Sequence, residues 1–370
     1  MDAPPTPDFP HERTDLTGVL VVNLGTPEAP TPGAVRRYLA EFLADPRVIE
    51  APRALWWLIL HGVILRIRPA RSARKYAMVW TPDGSPLLVL TRELTARLAR
   101  ALDPDGERPL EVAYAMRYGE PSIPRVLRAM RARGLRRLLV LPLYPQYSGT
   151  TTGSVFDAIA DELSRWRFVP ELRFVQGYHD DEAWVAALAA SVRAHWASTP
   201  RGERLLFSFH GIPQRYFDAG DPYFCACQAS ARKVAERLGL AASEWLVSFQ
   251  SRVGREPWLR PYTDETLVRL AREGVRSVDV ACPGFAVDCL ETLEEIAIEN
   301  RDAFLAAGGE RYAYVPALNA GDDHVAALAA LVARHGHGWD ALAPSFDAAR
   351  RREDAALRAE RAAALRATRA

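Results

Sequence analysis

Short runs of apolar and β-branched residues recur along the chain, each ending in glycine, proline or polar residues. They fall at Gly18–Leu24, Glu111–Met116, Leu138–Leu143, Glu171–Gly177, Leu205–Phe209, Trp245–Phe249, Ser277–Ala281 and Tyr312–Val315. Between them lie longer stretches with apolar residues three and four apart, among them Arg92–Leu102, Ile123–Arg133, Glu182–Trp196, Ala229–Leu238 and Asp264–Glu273. Apolar runs without alternation read as strands buried on both faces, and amphipathic helices between such strands supply the cover. The pattern predicts an α/β protein built on parallel sheets flanked by helices. The helix at Glu182–Trp196 separates the fourth run from the fifth, so the strands divide four and four. We expect a short N-terminal extension (1–15), one α/β domain over 16–178, a second over 179–338, and a tail from 339 to 370. From Ser345 onward the tail is rich in Ala, Arg and Glu and reads as a frayed helix or a disordered segment.

Ligands of parallel sheets bind beyond the carboxyl ends of the strands. Four strands run directly into unusual loops there: Leu24 into Gly25-Thr-Pro, Leu143 into Tyr144-Pro-Gln-Tyr-Ser-Gly, Phe209 into His210-Gly-Ile-Pro, and Ala281 into Cys282-Pro-Gly-Phe. A site is expected where these loops meet.

Composition narrows the chemistry. With 370 residues, 49% apolar content and a net charge of +1, the chain gives no electrostatic reason to bind nucleic acid. Only Lys75 and Lys233 among its 47 basic residues are lysine, so an arginine carries little information by itself. Four cysteines do not make a disulfide framework in a chain of this size. No basic and apolar leader opens the sequence, and no apolar stretch approaches the ~20 residues of a spanning helix, which favours a cytoplasmic protein.

Several motifs carry candidate chemistry. Glu291, Glu295 and Glu299 recur every four residues, with Glu294 beside them and no cation within the row. On an α-helix this stacks repelling carboxylates on one face, as oxygen ligands for a hard divalent cation would be. The plainer alternative is a solvated face opened by a capping box, Asp288 to Glu291. His210 closes an apolar strand ahead of Gly-Ile-Pro and is available as base or ligand, or as a hydrogen-bonded strand-end histidine. His61, His179, His335 and His337 have no partner at metal-ligand spacing, and Cys225-Ala-Cys227 lacks the second pair of a zinc site. Ser148–Ser154 is rich in hydroxyls and glycine and reads as a helix cap rather than a nucleotide loop. Ala54–Leu65, followed by Arg66, Arg68, Arg71, Arg74 and Lys75, combines apolar surface with a basic flank. It is a buried helix, or a lip that meets a membrane surface or a flat acidic ligand.

Taken in order, Val22-Asn-Leu-Gly-Thr-Pro, Met116-Arg-Tyr, Leu143-Tyr-Pro-Gln-Tyr-Ser, Ser208-Phe-His-Gly-Ile-Pro, Phe249-Gln-Ser-Arg-Val-Gly, Glu256-Pro-Trp-Leu and Pro283-Gly-Phe-Ala-Val-Asp-Cys-Leu-Glu-Thr-Leu-Glu-Glu resemble the ferrochelatase family of Gram-negative bacteria from Gly18 to about Ala320. The resemblance implies two Rossmann-like domains with a porphyrin between them, and insertion of Fe(II) into protoporphyrin IX to give protohaem. It implies His210 and Glu291 as the catalytic and metal-binding pair. Glu295 and Glu299 match acidic positions along a helix that carries a π-type segment in the family. Leu24, Tyr144, Trp258 and Phe285 match porphyrin-pocket walls, and Arg68, Ser85, Arg117 and Tyr118 match propionate or pocket polar positions. Cys289 stands where many relatives carry histidine, which removes a candidate ligand or hydrogen bond near the metal. The tail has none of the cysteines that hold a 2Fe–2S cluster in some relatives, so no cofactor beyond substrate iron is expected.

The reaction releases two pyrrole protons as the metal enters, so it needs a proton acceptor and a metal donor. Our expectation is that His210 is the base, Glu291 the end of the metal path, and Glu295 and Glu299 its approach. The competing expectations are a cobalt or nickel chelatase for a more carboxylated tetrapyrrole, and a non-enzymatic haem or metal carrier. Oligomeric state and iron donor are left open by the sequence.

Overall fold

The computed structural model describes residues 15–254, 256–343 and 345–367. Of the expected N-terminal extension only Asp15 lies within them, and the last three residues of the tail lie outside. Eight strands form two parallel sheets of four. The first contains β1 (Leu16–Gly25), β2 (Leu110–Tyr118), β3 (Leu135–Pro142) and β4 (Glu171–Phe174), in the order β2-β1-β3-β4. The second contains β5 (Arg204–His210), β6 (Trp245–Gln250), β7 (Ser277–Ala281) and β8 (Arg311–Val315), in the order β6-β5-β7-β8. All eight expected strands are present, and the four-and-four division is observed. Val19, Leu20, Val21 and Val22 show why the apolar runs had no alternation: side chains on both faces of β1 are fully buried.

The crossovers carry the helices. Between β1 and β2 come α1 (Pro32–Ala44), α2 (Arg53–Ile59), α3 (Leu65–Val79) and α4 (Pro86–Leu102), with a π-turn at Leu60–Ile64 joining α2 to α3. Then follow α5 (Ile123–Ala132), α6 (Ser154–Leu163), α7 (Glu182–Ser198), α8 (Gln214–Asp218), α9 (Tyr223–Leu238), α10 (Thr263–Arg272), α11 (Arg301–Ala306), α12 (Asp322–His335) and α13 (Ala348–Ala367). Helix α9 starts six residues before the expected Ala229, because Asp221 accepts the Tyr223 N–H at 3.0 Å and the turn holding Cys227 is buried. The tail resolves to α13, which has no buried residue and is tied down by Arg351–Asp340 and Arg358–Asp15 ion pairs.

The two halves repeat one plan. After β2, Met116 N–H bonds the Pro121 carbonyl at 2.7 Å; after β6, Phe249 N–H bonds the Pro261 carbonyl at 2.9 Å. The crossovers after β3 and β7 both begin in π-helix, at Gly149–Gly153 and Glu291–Asn300. The helices that follow the two sheets are exchanged: α7 packs on α9 and β8 of the second half, and α12 packs on α4 and β3 of the first. One apolar core therefore runs through both sheets, joining Val21, Leu94 and Leu141 to Phe207, Phe209 and Leu331.

Candidate active site

In each half the chain leaves the central pair of strands in opposite directions, from β1 out to β2 and from β3 out to β4, then likewise from β5 and β7. That reversal opens a crevice at the carboxyl ends. Leu24, Tyr144, His210 and Phe285 stand where these four strands end or just beyond. Gly25 is required there: its φ is +112°, and a Cβ would fall 1.8 Å from the Tyr118 carbonyl oxygen.

His210 is the last residue of β5, in register with Gln250 of β6. Its Nδ1 lies 2.7 Å from the Gly211 carbonyl oxygen. A carbonyl only accepts, so Nδ1 carries the hydrogen, and in the neutral ring Nε2 keeps its lone pair. Gly211 allows the next wall to close in, since a methyl there would lie 2.9 Å from the Gln250 carbonyl and 3.1 Å from the Trp258 ring.

The acidic helix differs from the α-helical row that the spacing predicts. Glu291–Asn300 is π-helix, whose i→i+5 bonding widens the turn so that residues five apart share a face as well as those four apart. The carboxylates divide accordingly. Glu294 and Glu299 both accept from Lys75 Nζ of α3, at 2.9 and 2.6 Å. The uncompensated row is thus corrected: a cation reaches it from a distant helix. Glu295 instead accepts the Ser251 N–H at 2.8 Å and the Ser251 hydroxyl, and it faces His210 and Glu291. Burial raises the Glu295 carboxyl above its usual range, while Ser251 and His210 pull it back. Burial likewise raises Glu294, and the Lys75 ammonium opposes it.

The expected capping box is also corrected. Asp288 accepts from Tyr314 OH at 2.5 Å, Asn319 Nδ2 at 2.8 Å and Thr292 Oγ1 at 3.0 Å. Thr292 Oγ1 in turn accepts the Cys289 N–H at 3.0 Å, so the helix start is held one residue later than predicted. Cys289 is buried beside Glu291, and burial with that carboxylate pushes its thiol well above the usual range. It stands as a neutral thiol. All four cysteines are free.

The remaining predicted residues fall into two groups. Arg68 of α3 is half-buried, makes no hydrogen bond or ion pair among the described residues, and faces Tyr76, Glu291 and Tyr38; burial lowers its pKa. The Tyr144 hydroxyl is buried without a partner, and burial raises its pKa. Leu24, Trp258 and Phe285 are partly exposed. By contrast, Arg117 and Tyr118 are already satisfied: Asp45 Oδ2 accepts from Arg117 at 2.6 Å, Tyr118 OH at 2.8 Å and Ser154 Oγ at 2.6 Å. Ser85 accepts from Thr26 Oγ1 at 2.8 Å. The hydroxyl-rich Ser148 loop is a cap, as expected, and the anion at it is internal: Asp221 accepts from Ser148 Oγ and Gly149 N–H at 2.9 and 2.8 Å.

Sequence reasoning missed Tyr38, Asp45, Lys75, Tyr76 and Ser251. Lys75 had a visible signal, as one of two lysines in an arginine-rich chain. Ser251 lay inside a quoted motif, but its conformation, φ +66°, is a tertiary fact. For a non-glycine residue such a conformation costs about 1–3 kcal/mol and persists where the surroundings enforce it. Among the described residues no cluster of three or more His, Cys, Asp and Glu side chains is grouped to hold a metal ion. The donors are instead spread along the π-helix and across to His210.

Two parallel four-stranded sheets with facing loops define a protein of the chelatase fold. A solved structure titled "SirB from Bacillus subtilis with Fe3+" matches with a TM-score of 0.50 at 13% identity, covering 90% of this chain and 99% of that one. The ferrochelatase family model matches residues 16–336. "Ferrochelatase" from Thioalkalivibrio sulfidiphilus (strain HL-EbGR7) is 56% identical over 97% of this chain and 96% of its own. "Ferrochelatase" from Polaromonas sp. (strain JS666) is 52% identical across the full length of both. The chain belongs to the ferrochelatase family and is a metal chelatase.

Proposed function

We propose that this chain carries out the ferrochelatase reaction, insertion of Fe(II) into protoporphyrin IX to form protohaem, by dividing the work between His210 and Glu291. The observation that carries this reading is the hydrogen bond between His210 Nδ1 and the Gly211 carbonyl oxygen, from which the ring tautomer follows. With Nδ1–H committed to the Gly211 carbonyl, Nε2 is free to accept a pyrrole proton. Glu291 is the last protein donor to the iron, and the two pyrrole N–H protons leave in turn, each taken by His210 Nε2 and passed to solvent, as the Fe–N bonds that replace them form. Glu295, bonded to Ser251 and facing both groups, lies on the approach, with the exposed Glu299 at its outer end. Leu24, Tyr144, Trp258 and Phe285 wall the macrocycle. Arg68, which makes no hydrogen bond or ion pair among the described residues, is the cation for a propionate, whereas Arg117, Tyr118 and Ser85 act through the pocket framework.

The test is an anaerobic assay of Fe(II) with protoporphyrin IX, following the loss of porphyrin fluorescence. His210→Ala should lower turnover by roughly 10²–10⁴-fold while porphyrin still binds. Glu295→Gln with Glu299→Gln should raise the iron requirement and leave porphyrin affinity unchanged. Retained turnover in His210→Ala overturns the base assignment, and lost porphyrin affinity in the double variant overturns the iron approach. A protein that binds haem without turnover is a carrier instead.

The lip supports a further part of this reading. Leu55, Trp57 and Leu58 of α2, Val63 of the π-turn and Ile67 of α3 are exposed, beside exposed Arg66, Arg71 and Arg74. No helix among the described residues is long and apolar enough to cross a membrane. We assign the lip to peripheral contact with an anionic membrane surface from the cytoplasmic side. Cosedimentation with anionic vesicles, lost in Trp57→Glu with Ile67→Glu, tests it. No iron–sulfur cluster is part of this reading, and stoichiometric cluster absorbance in anaerobically purified protein would add one. The sheets are read as two domains divided near Tyr178, with α12 crossing back to the first.

A further inference from the structure

We infer that Ser251 is a positioning residue that fixes the Glu295 carboxylate on its way to His210. This rests on the reading of Glu295 as part of the iron approach given above. Ser251 follows β6 directly and holds φ +66°. That region suits glycine, and every other left-handed position among the described residues is glycine except Asn319. A serine there departs from the chain's own pattern, so its hydroxyl needs a reason.

The reason is visible in its contacts. Ser251 N–H donates to Glu295 Oε1 at 2.8 Å, and Ser251 Oγ–H donates to Glu295 Oε2. No other group among the described residues hydrogen-bonds this carboxylate. Two donors from one residue take both oxygens, which fixes the plane of the carboxylate as well as its place.

The surroundings enforce the unusual backbone. Arg252 bonds Glu265 at 2.6 Å and Asp264 at 3.1 Å, and Trp258 Nε1 bonds the Val253 carbonyl at 2.9 Å. On the other side of Ser251, Gln250 Nε2 bonds the Glu291 carbonyl at 3.0 Å. Gln250, Ser251, Val253 and Trp258 thus connect a pocket wall, the π-helix start and the Glu295 carboxylate.

Glycine at 251 would keep the N–H and relax the backbone, removing the hydroxyl alone. This separates a structural role from a functional one. We expect Ser251→Gly and Ser251→Ala both to raise the KM for Fe(II) by roughly tenfold, the scale of one charge-assisted hydrogen bond, with the porphyrin KM unchanged. Ser251→Gly should melt at or above the native temperature. The Ser251→Gly, Glu295→Gln double variant should be no worse than Glu295→Gln alone, because both act through one group. If Glu295→Gln raises the Fe(II) KM and Ser251→Gly does not, the positioning role is overturned while the iron approach stands. If Glu295→Gln leaves the Fe(II) KM unchanged, the approach itself falls and takes this role with it. Additive effects in the double variant also overturn it, since Ser251 would then act elsewhere.

Discussion

His324 shows how far from the cleft a single residue bears on it. It is fully buried, its Nδ1 bonds the Asn319 carbonyl at 2.6 Å, and its Nε2 has no partner. Asn319 in turn bonds Asp288 through both side-chain atoms, and Asp288 holds the start of the π-helix. Burial pushes the His324 pKa down to about 4. A histidine whose folded pKa is depressed contributes stability that is present above its unfolded value, near 6.5, and lost as pH falls towards 4. Unfolding free energy should therefore drop by up to about 1.4 kcal/mol per pH unit across that window. Urea titrations at pH 7 and pH 5 check this. His324→Leu should be weaker at pH 7, having lost the Asn319 bond, but flatter with pH.

At the scale of elements, the contact between α3 and the π-helix decides the character of the acidic cluster. Lys75 places one ammonium between Glu294 and Glu299, and Glu294 is 5% exposed. Two turns earlier on α3, Arg68 faces Glu291. The lip is thus charge-matched to the helix it covers. Lys75→Met should destabilise the fold by roughly 1–3 kcal/mol at pH 7, because it leaves a buried carboxylate without its cation. It should also speed proteolysis between Arg53 and Val79, as α3 loses its bond to the second half. Lys75→Arg, which keeps the charge, should restore most of the protection. Unchanged urea midpoints and cleavage rates in Lys75→Met would show that the lip is held by its apolar contacts alone.

The whole molecule is bound together by exchanged helices. Helix α12 follows the second sheet yet packs on α4 and β3 of the first, burying Leu328, Leu331 and Val332. Each such side chain contributes about 1.5–3 kcal/mol, and a domain's entire margin is only about 5–15 kcal/mol. A chain ending at Gly321 should therefore fail to fold in either half, and the complete chain should melt in one transition. A chain ending at Asp347 should behave differently. It loses α13, which has no fully buried residue, and should keep full chelation with a melting temperature lower by a few degrees at most. Calorimetry of the three chains distinguishes these outcomes.

Much of this architecture was legible in the sequence. The eight strands, their four-and-four division and the loops at the crevice followed from apolar runs and their breakers, which act over a few residues. Ordered motifs carried the family, and with it the proposal of His210 and Glu291 as the reacting pair. The rest depended on partners that no local pattern encodes. The spacing of Glu291, Glu295 and Glu299 implied one face, but the π-helix turned Glu295 towards Ser251 and gave Glu299 to Lys75, 224 residues away. Arg117 matched a ligand position, yet Asp45, 72 residues earlier, had already taken its charge. Strand identity is set by local burial pattern, whereas the state of a charged side chain depends on which distant element packs against it. Only the tertiary structure supplies that neighbour.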